Sequence, residues 1–177
     1  EGEVLDVLVQ GKRDKHAALK LMRKLLRKYG FVPDLLITDD LRSYGAAARE
    51  LGIELNEEQA AQIVAHLDLL DDWNTRMNLT AIRDRPAQLT KHLLDSLTVL
   101  PYLQGDRIAD VGSGAGFPGI PLAIVAPQRH FSLIESTGKK CRFLEHVREA
   151  LELANVEVVQ ARAESYQPEV RFDTVIA

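Results

Sequence analysis

Residues 107–124 read RIADVGSGAGFPGIPLAI, and no other stretch restricts the fold so tightly. An apolar run, RIADV, passes directly into glycines at 112, 114, 116 and 119, and these lead into IPLAIV, a run suited to begin a helix. A strand that turns through a glycine-rich loop into a helix opens a βα unit. Glycine lets the backbone adopt positive φ and approach a ligand closely, and the helix start is expected to offer exposed amides to an anion or a polar cofactor end.

Two registers fit the loop. Gly114, Gly116 and Gly119 have the spacing of a dinucleotide fingerprint, but that fingerprint should open at the strand end, and Pro118 lies within this copy. Counting from the strand end instead gives Asp110, Val111, Gly112, Ser113, Gly114, Ala115 and Gly116, an acid followed by alternating glycines. That is the usual first motif of S-adenosylmethionine enzymes, in which the loop wraps the amino-acid end of the cofactor.

FSLIE at 131–135 reads as the second strand and ends in Glu135, 23 residues after Gly112. A carboxylate there can accept both ribose hydroxyl protons of either cofactor. KKCRFLEHVREALELA at 139–154 is an amphipathic helix, and VEVVQ at 156–160 is a third strand, followed by Ala163 and Glu164. FDTVIA at 172–177 reads as a fourth. This alternation predicts an α/β fold with a parallel, doubly wound, Rossmann-like sheet.

Upstream, from residue 53, the pattern is helical. Asn56 is the expected N-cap, with Glu57 and Glu58 in the first turn and an apolar stripe of Ile63, Leu67, Leu70 and Trp73. Trp73 reads as a core anchor for the helices here. Asn78, Leu79 and Thr80 break the pattern, and a second helix is expected from Pro86 to Tyr102 with Leu89, Leu93, Leu97 and Leu100 on one face. His92 and Asp95 share a helical face and are expected to form a structural pair, whereas Ser96 points roughly 100° away, which argues against a catalytic triad. His66 and His146 lack metal-ligand spacing and read as surface or packing residues.

The first third has a different character. VLDVLV at 4–9 and LLIT at 35–38 read as strands, and Lys15–Tyr29 and YGAAAREL at 44–51 as helices. Asp39 and Asp40 at a strand end could ligate Mg²⁺, but without a partner carboxylate turn chemistry and the charge preference of a helix N-terminus are the preferred reading. Residues 1–52 carry 10 Lys and Arg against 8 Asp and Glu, and residues 53–177 carry 12 against 18, so two histories are expected to meet near residue 52.

Composition narrows the class. No apolar run approaches the roughly 18 residues of a membrane span, and the 46% hydrophobic and 27% charged content suits a soluble, cytoplasmic globular protein. Cys141 is the sole cysteine and cannot form an internal disulfide. Residue 1 is Glu within a charged segment, from which no signal peptide is expected.

Two resemblances follow from these residues. EGEVLDVLVQGKRDKHAALKLMRKLLRKYGFVPDLLITDDLRSYGAAARELG resembles an internal piece of an insertion-sequence transposase with an RNase H-like core. The resemblance implies a two-metal site of three carboxylates, of which Asp39 matches the second while the first and last have no counterpart, so the fragment is expected to be chemically dead. From about Ile53 onward the chain resembles the bacterial small-subunit rRNA methyltransferase G family, also called glucose-inhibited division protein B. The resemblance is carried by WNxxxNLT at 73–80, HLLDS at 92–96, ADVGSGAGFPGIPLAI at 109–124, ESTGKKCRFL at 135–144 and ARAES at 161–165.

This second resemblance implies transfer of a methyl group from S-adenosyl-L-methionine to N7 of a guanine in 16S rRNA, or in a precursor of the small ribosomal subunit, with no metal. By position, Gly112, Phe117, Ala163 and Glu164 match the family's cofactor-contacting residues, and Gly114, Gly116 and Glu135 complete the expected set. Lys139, Lys140 and Arg142 are candidates for RNA contact, with a solvated helix N-terminus as the equal alternative. The expected organisation is a transposase-like fragment over 1–52, the helical N-terminal part of a methyltransferase over 53–105, and a partial cofactor-binding domain over 106–177. The family's fourth strand continues into an Arg at the site and three further strands, whereas this sequence stops at Ala177, so impaired activity is expected. A nicotinamide-dependent oxidoreductase and a non-enzymatic, DNA-binding transposase remnant are the alternatives.

Overall fold

The structure, a computed structural model, describes Gly45, Ala46, Ala48, Arg49 and residues 51–177. The strands expected at 4–9 and 35–38, the helix at 15–29, and Asp39 and Asp40 lie outside the described residues, as does part of the helix expected at 44–51.

Helix α1 (Glu57–Asn74) begins at Asn56, as the sequence predicts. The Asn56 side chain accepts the Gln59 N–H at 2.8 Å, and the Gln59 side chain accepts the Asn56 N–H at 3.1 Å, so two otherwise orphaned donors are satisfied reciprocally. The buried face of α1 carries Ile63, His66, Leu67 and Leu70. Its last residue, Asn74, is also buried and organises the loop that follows. Asn74 Oδ1 accepts the N–H groups of Leu79 (2.9 Å) and Thr80 (3.2 Å), and Nδ2 donates to the Thr80 carbonyl (2.9 Å). Such side-chain bonding competes with helix continuation, which is why the pattern breaks at Asn78–Thr80.

The single helix expected over Pro86–Tyr102 is segmented. It opens one residue earlier, as α2 (Arg85–Gln88), because Asp84 caps it by accepting the Ala87 N–H at 3.1 Å. It then widens into a π-helical turn (Leu89–Leu94), tightens into α3 (Asp95–Leu97), and is followed by a 3₁₀ turn (Leu100–Tyr102). Leucine spacing cannot reveal this change of pitch: Leu93 and Leu97 are buried, while Leu89 and Leu100 are partly covered.

Among the described residues, four parallel strands form a sheet: β1 (Arg107–Val111), β2 (His130–Glu135), β3 (Val156–Gln160) and β4 (Thr174–Ile176), in the order β3-β2-β1-β4. Arg107 to Val111 lie opposite His130 to Ile134. Phe131 to Glu135 are all buried, as expected of an inner parallel strand. Strand β4 is shorter than the FDTVIA run. Asp173, just before it, uses its carboxylate to accept the N–H groups of Asp106 and Arg107, each at 2.9 Å.

Two helices connect these strands, α4 (Gly119–Val125) and α5 (Gly138–Ala150). Helix α5 stops four residues short of the expected Ala154. Glu152 takes φ 53°, the left-handed conformation usual for glycine after a helix, and Leu153 N–H bonds back to the Arg148 carbonyl at 3.0 Å. With a glutamate in that role, the sequence gives no stop signal. Ile63, Leu67 and Leu70 of α1, with Leu93 and Leu97, join Ile108, Ile120, Leu133, Phe143 and Leu144 in one hydrophobic core.

Candidate functional site

The glycine loop follows β1 directly. Gly112, Gly114 and Gly116 have φ of 78°, 57° and 88°, a region that L side chains rarely adopt. A Cβ at Gly112 would meet nothing within 4 Å, so the loop leaves open space there. Gly116 is different: a Cβ would come within 2.7 Å of Ile120 Cγ1 and 3.3 Å of His66 Nε2. Its lack of a side chain serves close packing of loop on helix.

Asp110, the acid that opens the motif, is buried. Its Oδ2 accepts the Gly119 N–H at 3.0 Å, and its carbonyl accepts the Ser113 hydroxyl at 2.8 Å. Burial pushes the carboxyl up to about 6, opposed by the bonds from Gly119 and Ser113 and reinforced by the charge of Glu135. The Ile120 N–H bonds to the Gly116 carbonyl at 2.8 Å. The start of α4 is therefore closed internally, contrary to the expectation that its amides are exposed; the conformation that aims them outward would leave Asp110 buried without a donor.

Glu135 ends β2 and is also buried. Oε2 accepts the Gly114 N–H at 3.1 Å, and Oε1 accepts the Thr137 N–H at 2.8 Å. The Lys140 ammonium lies 3.9 Å from Oε2. Burial alone would raise this carboxyl, but the bonds from Thr137, the Lys140 charge and the Gly114 N–H together hold it below the usual glutamate value. The structure thus joins the strand-end acid to the second glycine of the loop across 21 residues of sequence. Beneath them the Cys141 thiol donates to the Glu135 carbonyl at 3.2 Å.

Phe117 is partly covered and stacks on His92 and His66. Ala163 and Glu164 lie in an exposed 3₁₀ turn (Ala163–Ser165) just after β3, the strand that pairs with β2 through Glu135 and Gln160. Of the basic candidates, Lys140 turns toward Glu135, and Lys139 is exposed. Arg142 lines a cavity of about 390 Å³ with Trp73, Cys141, His146, Val158 and Gln160. Trp73 packs against the core as expected, and its ring lies 5.5 Å from Phe143 and 5.3 Å from His146 of α5.

The expected His92–Asp95 bond does not form. His92 Nε2 meets the Thr80 hydroxyl at 2.9 Å, and Asp95 acts on it only through its charge. Ser96 turns its hydroxyl back to the His92 carbonyl, as a helical serine does without a nearer partner. Among the described residues, no group of three or more His, Cys, Asp or Glu is placed to hold a metal, and no helix is long and apolar enough to cross a membrane.

Comparison with known proteins places these features in context. A family model described as rRNA small subunit methyltransferase G matches residues 59–177, and one described as a DDE domain matches residues 1–70. The ribosomal RNA small subunit methyltransferase G of Pseudomonas syringae pv. tomato is 53% identical over 130 residues, covering 73% of this chain and 62% of the relative. That of Ectopseudomonas mendocina is 55% identical over 130 residues, covering 72% and 61%, and that of Saccharophagus degradans 49% over 137 residues, covering 77% and 60%. The chain spans about three fifths of the length of these relatives. Among solved structures, a protein-L-isoaspartate O-methyltransferase superposes with a TM-score of 0.50 at 13% identity, covering 77% of this chain and 47% of the other, a likeness of fold alone.

Proposed function

The chain belongs to the rRNA small subunit methyltransferase G family, and on that premise we propose that it acts in the cytoplasm as an S-adenosyl-L-methionine-dependent methyltransferase on N7 of a guanine in 16S rRNA. The observation that carries this reading is the bond between Glu135 and the Gly114 N–H. It draws the strand-end carboxylate and the glycine loop together around the open space at Gly112. A bound amino-acid nucleoside fits this arrangement, its amino-acid end along Gly112, Gly114 and Gly116 and its ribose hydroxyls on Glu135. Phe117, Ala163 and Glu164 complete the wall. Bound there, S-adenosyl-L-methionine supplies an electrophilic methyl group on a sulfonium.

No general base is required of the chain. Guanine N7 carries a lone pair and no proton, so the protein's task is to align acceptor and methyl group in line, chiefly by positioning. N7 faces the deep, narrow major groove in A-form RNA, so the target guanine is unstacked or in a loop. Residues 1–52 are read as a transposase-like fragment with no part in the transfer, residues 53–105 as the helical part of the methyltransferase, and residues 106–177 as its cofactor-binding part. No relative described above supports the nicotinamide reading or the DNA-binding remnant.

Calorimetric titration with S-adenosylhomocysteine and with a nicotinamide dinucleotide, alongside tritium transfer to small-subunit rRNA, tests the proposal. Binding of the first ligand and not the second is expected. Preference for the dinucleotide would overturn the reading.

A further inference from the structure

Phe117 is held by two histidines from different helical segments. The His92 ring lies 4.5 Å from it at an interplanar angle of 12°, and the His66 ring 4.8 Å from it at 29°. Each imidazole is itself fixed. His66, fully buried on α1, has Nε2 at 3.0 Å from the Ala115 carbonyl. Because a carbonyl only accepts, Nε2 carries the proton and donates it. His92, in the π-helical turn, has Nε2 at 2.9 Å from the Thr80 hydroxyl, which also accepts the Ile82 N–H at 3.1 Å. The loop is therefore gripped twice within three residues, at the Ala115 carbonyl and at the Phe117 ring.

This arrangement gives the helical segment a task in the site. His66 and His92 reach the glycine loop from α1 and from the segment that follows the Asn74-organised turn, so the order of both helical pieces is transmitted to residues 115–117. Burial keeps both rings toward the neutral form, which suits stacking on a phenyl ring: His66 falls to about 4, and His92 is also lowered.

Resting on the methyl-donor reading above, we propose that His66 and His92 are positioning residues for the cofactor loop: they touch no reacting atom and fix Phe117 and Ala115, and thereby the wall on which the methyl donor lies. Small displacements of such a wall are costly, because a site left about 1 Å loose by its supporting residues loses much of its affinity.

The test compares His92→Leu with His92→Phe in the full chain. His92→Phe keeps a flat ring against Phe117 and loses the bond to Thr80; His92→Leu loses both. S-adenosylhomocysteine affinity is read by calorimetry, hydrogen exchange of the 112–117 amides by mass spectrometry, and folding by thermal melts. The expected result for His92→Leu is about tenfold weaker binding and faster loop exchange, with both restored in His92→Phe although the two variants melt alike. The proposal is overturned if His92→Leu keeps the affinity and loop exchange of the unaltered chain, or if His92→Phe rescues neither. If the unaltered chain fails to bind S-adenosylhomocysteine, the methyl-donor reading falls, while loop exchange still decides whether the histidines hold the loop. His66→Gln gives a second variant that keeps a donor for the Ala115 carbonyl and loses the stacking, and faster loop exchange is expected there also.

Discussion

Asp110 Oδ2 accepts the Gly119 N–H at 3.0 Å, and this one bond spans the whole glycine loop from the end of β1 to the first residue of α4. A Cβ at Gly119 would lie 2.5 Å from the same oxygen and 2.3 Å from Leu133 Cδ2, so the glycine and the acid require each other. Asp110→Ala should leave the buried Gly119 N–H without an acceptor, at about 1–3 kcal/mol. Asp110→Asn keeps an acceptor oxygen and should lose less. Denaturant unfolding of both variants checks this, and equal losses would mean that the bond is not what closes the loop.

The same carboxyl gives a pH signature. Its folded pKa is raised to about 6 by burial, so the stability it contributes is full below its unfolded value of 3.8 and is lost as pH rises through about 6. His66 is lowered from 6.5 to about 4 by burial, so its contribution is full above 6.5 and is lost as pH falls through about 4. Each swing is on the order of 3 kcal/mol, and the two oppose each other between about pH 4 and 6. Asp110→Asn removes one of them. The stability of the variant relative to the unaltered chain should climb with pH across that window, and a flat difference in unfolding free energy would refute the assignment.

Two of the loop glycines should separate by kind. Gly112→Ala meets no atom within 4 Å, so its folding cost is the positive φ alone, about 1 kcal/mol, while the new methyl group projects into the space proposed for the cofactor. Gly116→Ala adds a collision with Ile120 and should cost roughly 1–3 kcal/mol more. Melts and S-adenosylhomocysteine titrations should therefore rank the two variants oppositely when the affinity lost is compared with the stability lost. The same rank order in both measurements would remove the distinction.

Much of this was legible in the sequence, for identifiable reasons. RIADV and VEVVQ fill β1 and β3 to the residue, because an apolar run in a parallel sheet is bounded by a turn signal at each end. Asn56 announced α1 because an N-cap acts locally. The residues that failed are those whose role comes from distant partners. Glu152 ends α5 without glycine, the π-helical turn at Leu89–Leu94 leaves leucine spacing almost unchanged, and His66 and His92 meet Phe117 from segments 51 and 25 positions away in the numbering. Asp110 showed itself only as the acid of a motif; its bond to Gly119 was hidden because spacing says nothing about which way a buried carboxylate turns.

Glu135 offers the sharpest test of the cofactor reading. Both of its oxygens already accept a backbone N–H, from Gly114 and from Thr137, so ribose hydroxyls must use the remaining lone pairs of a carboxylate held ionised by those bonds and by Lys140. Glu135→Gln replaces one acceptor oxygen by a donor NH₂ that faces an N–H group of the loop or of Thr137. The change should cost about 1–3 kcal/mol of stability, and it should weaken S-adenosylhomocysteine binding by more than that loss accounts for, on the order of tenfold or beyond, because a donor cannot receive a hydroxyl proton. The stabilising share of Glu135 is present above its unfolded value of 4.5 and disappears as pH falls below it, so the stability gap between Glu135→Gln and the unaltered chain should narrow in acid. Calorimetry and unfolding at neutral and acidic pH read both effects, and a variant that binds S-adenosylhomocysteine as tightly as the unaltered chain would remove Glu135 from the site.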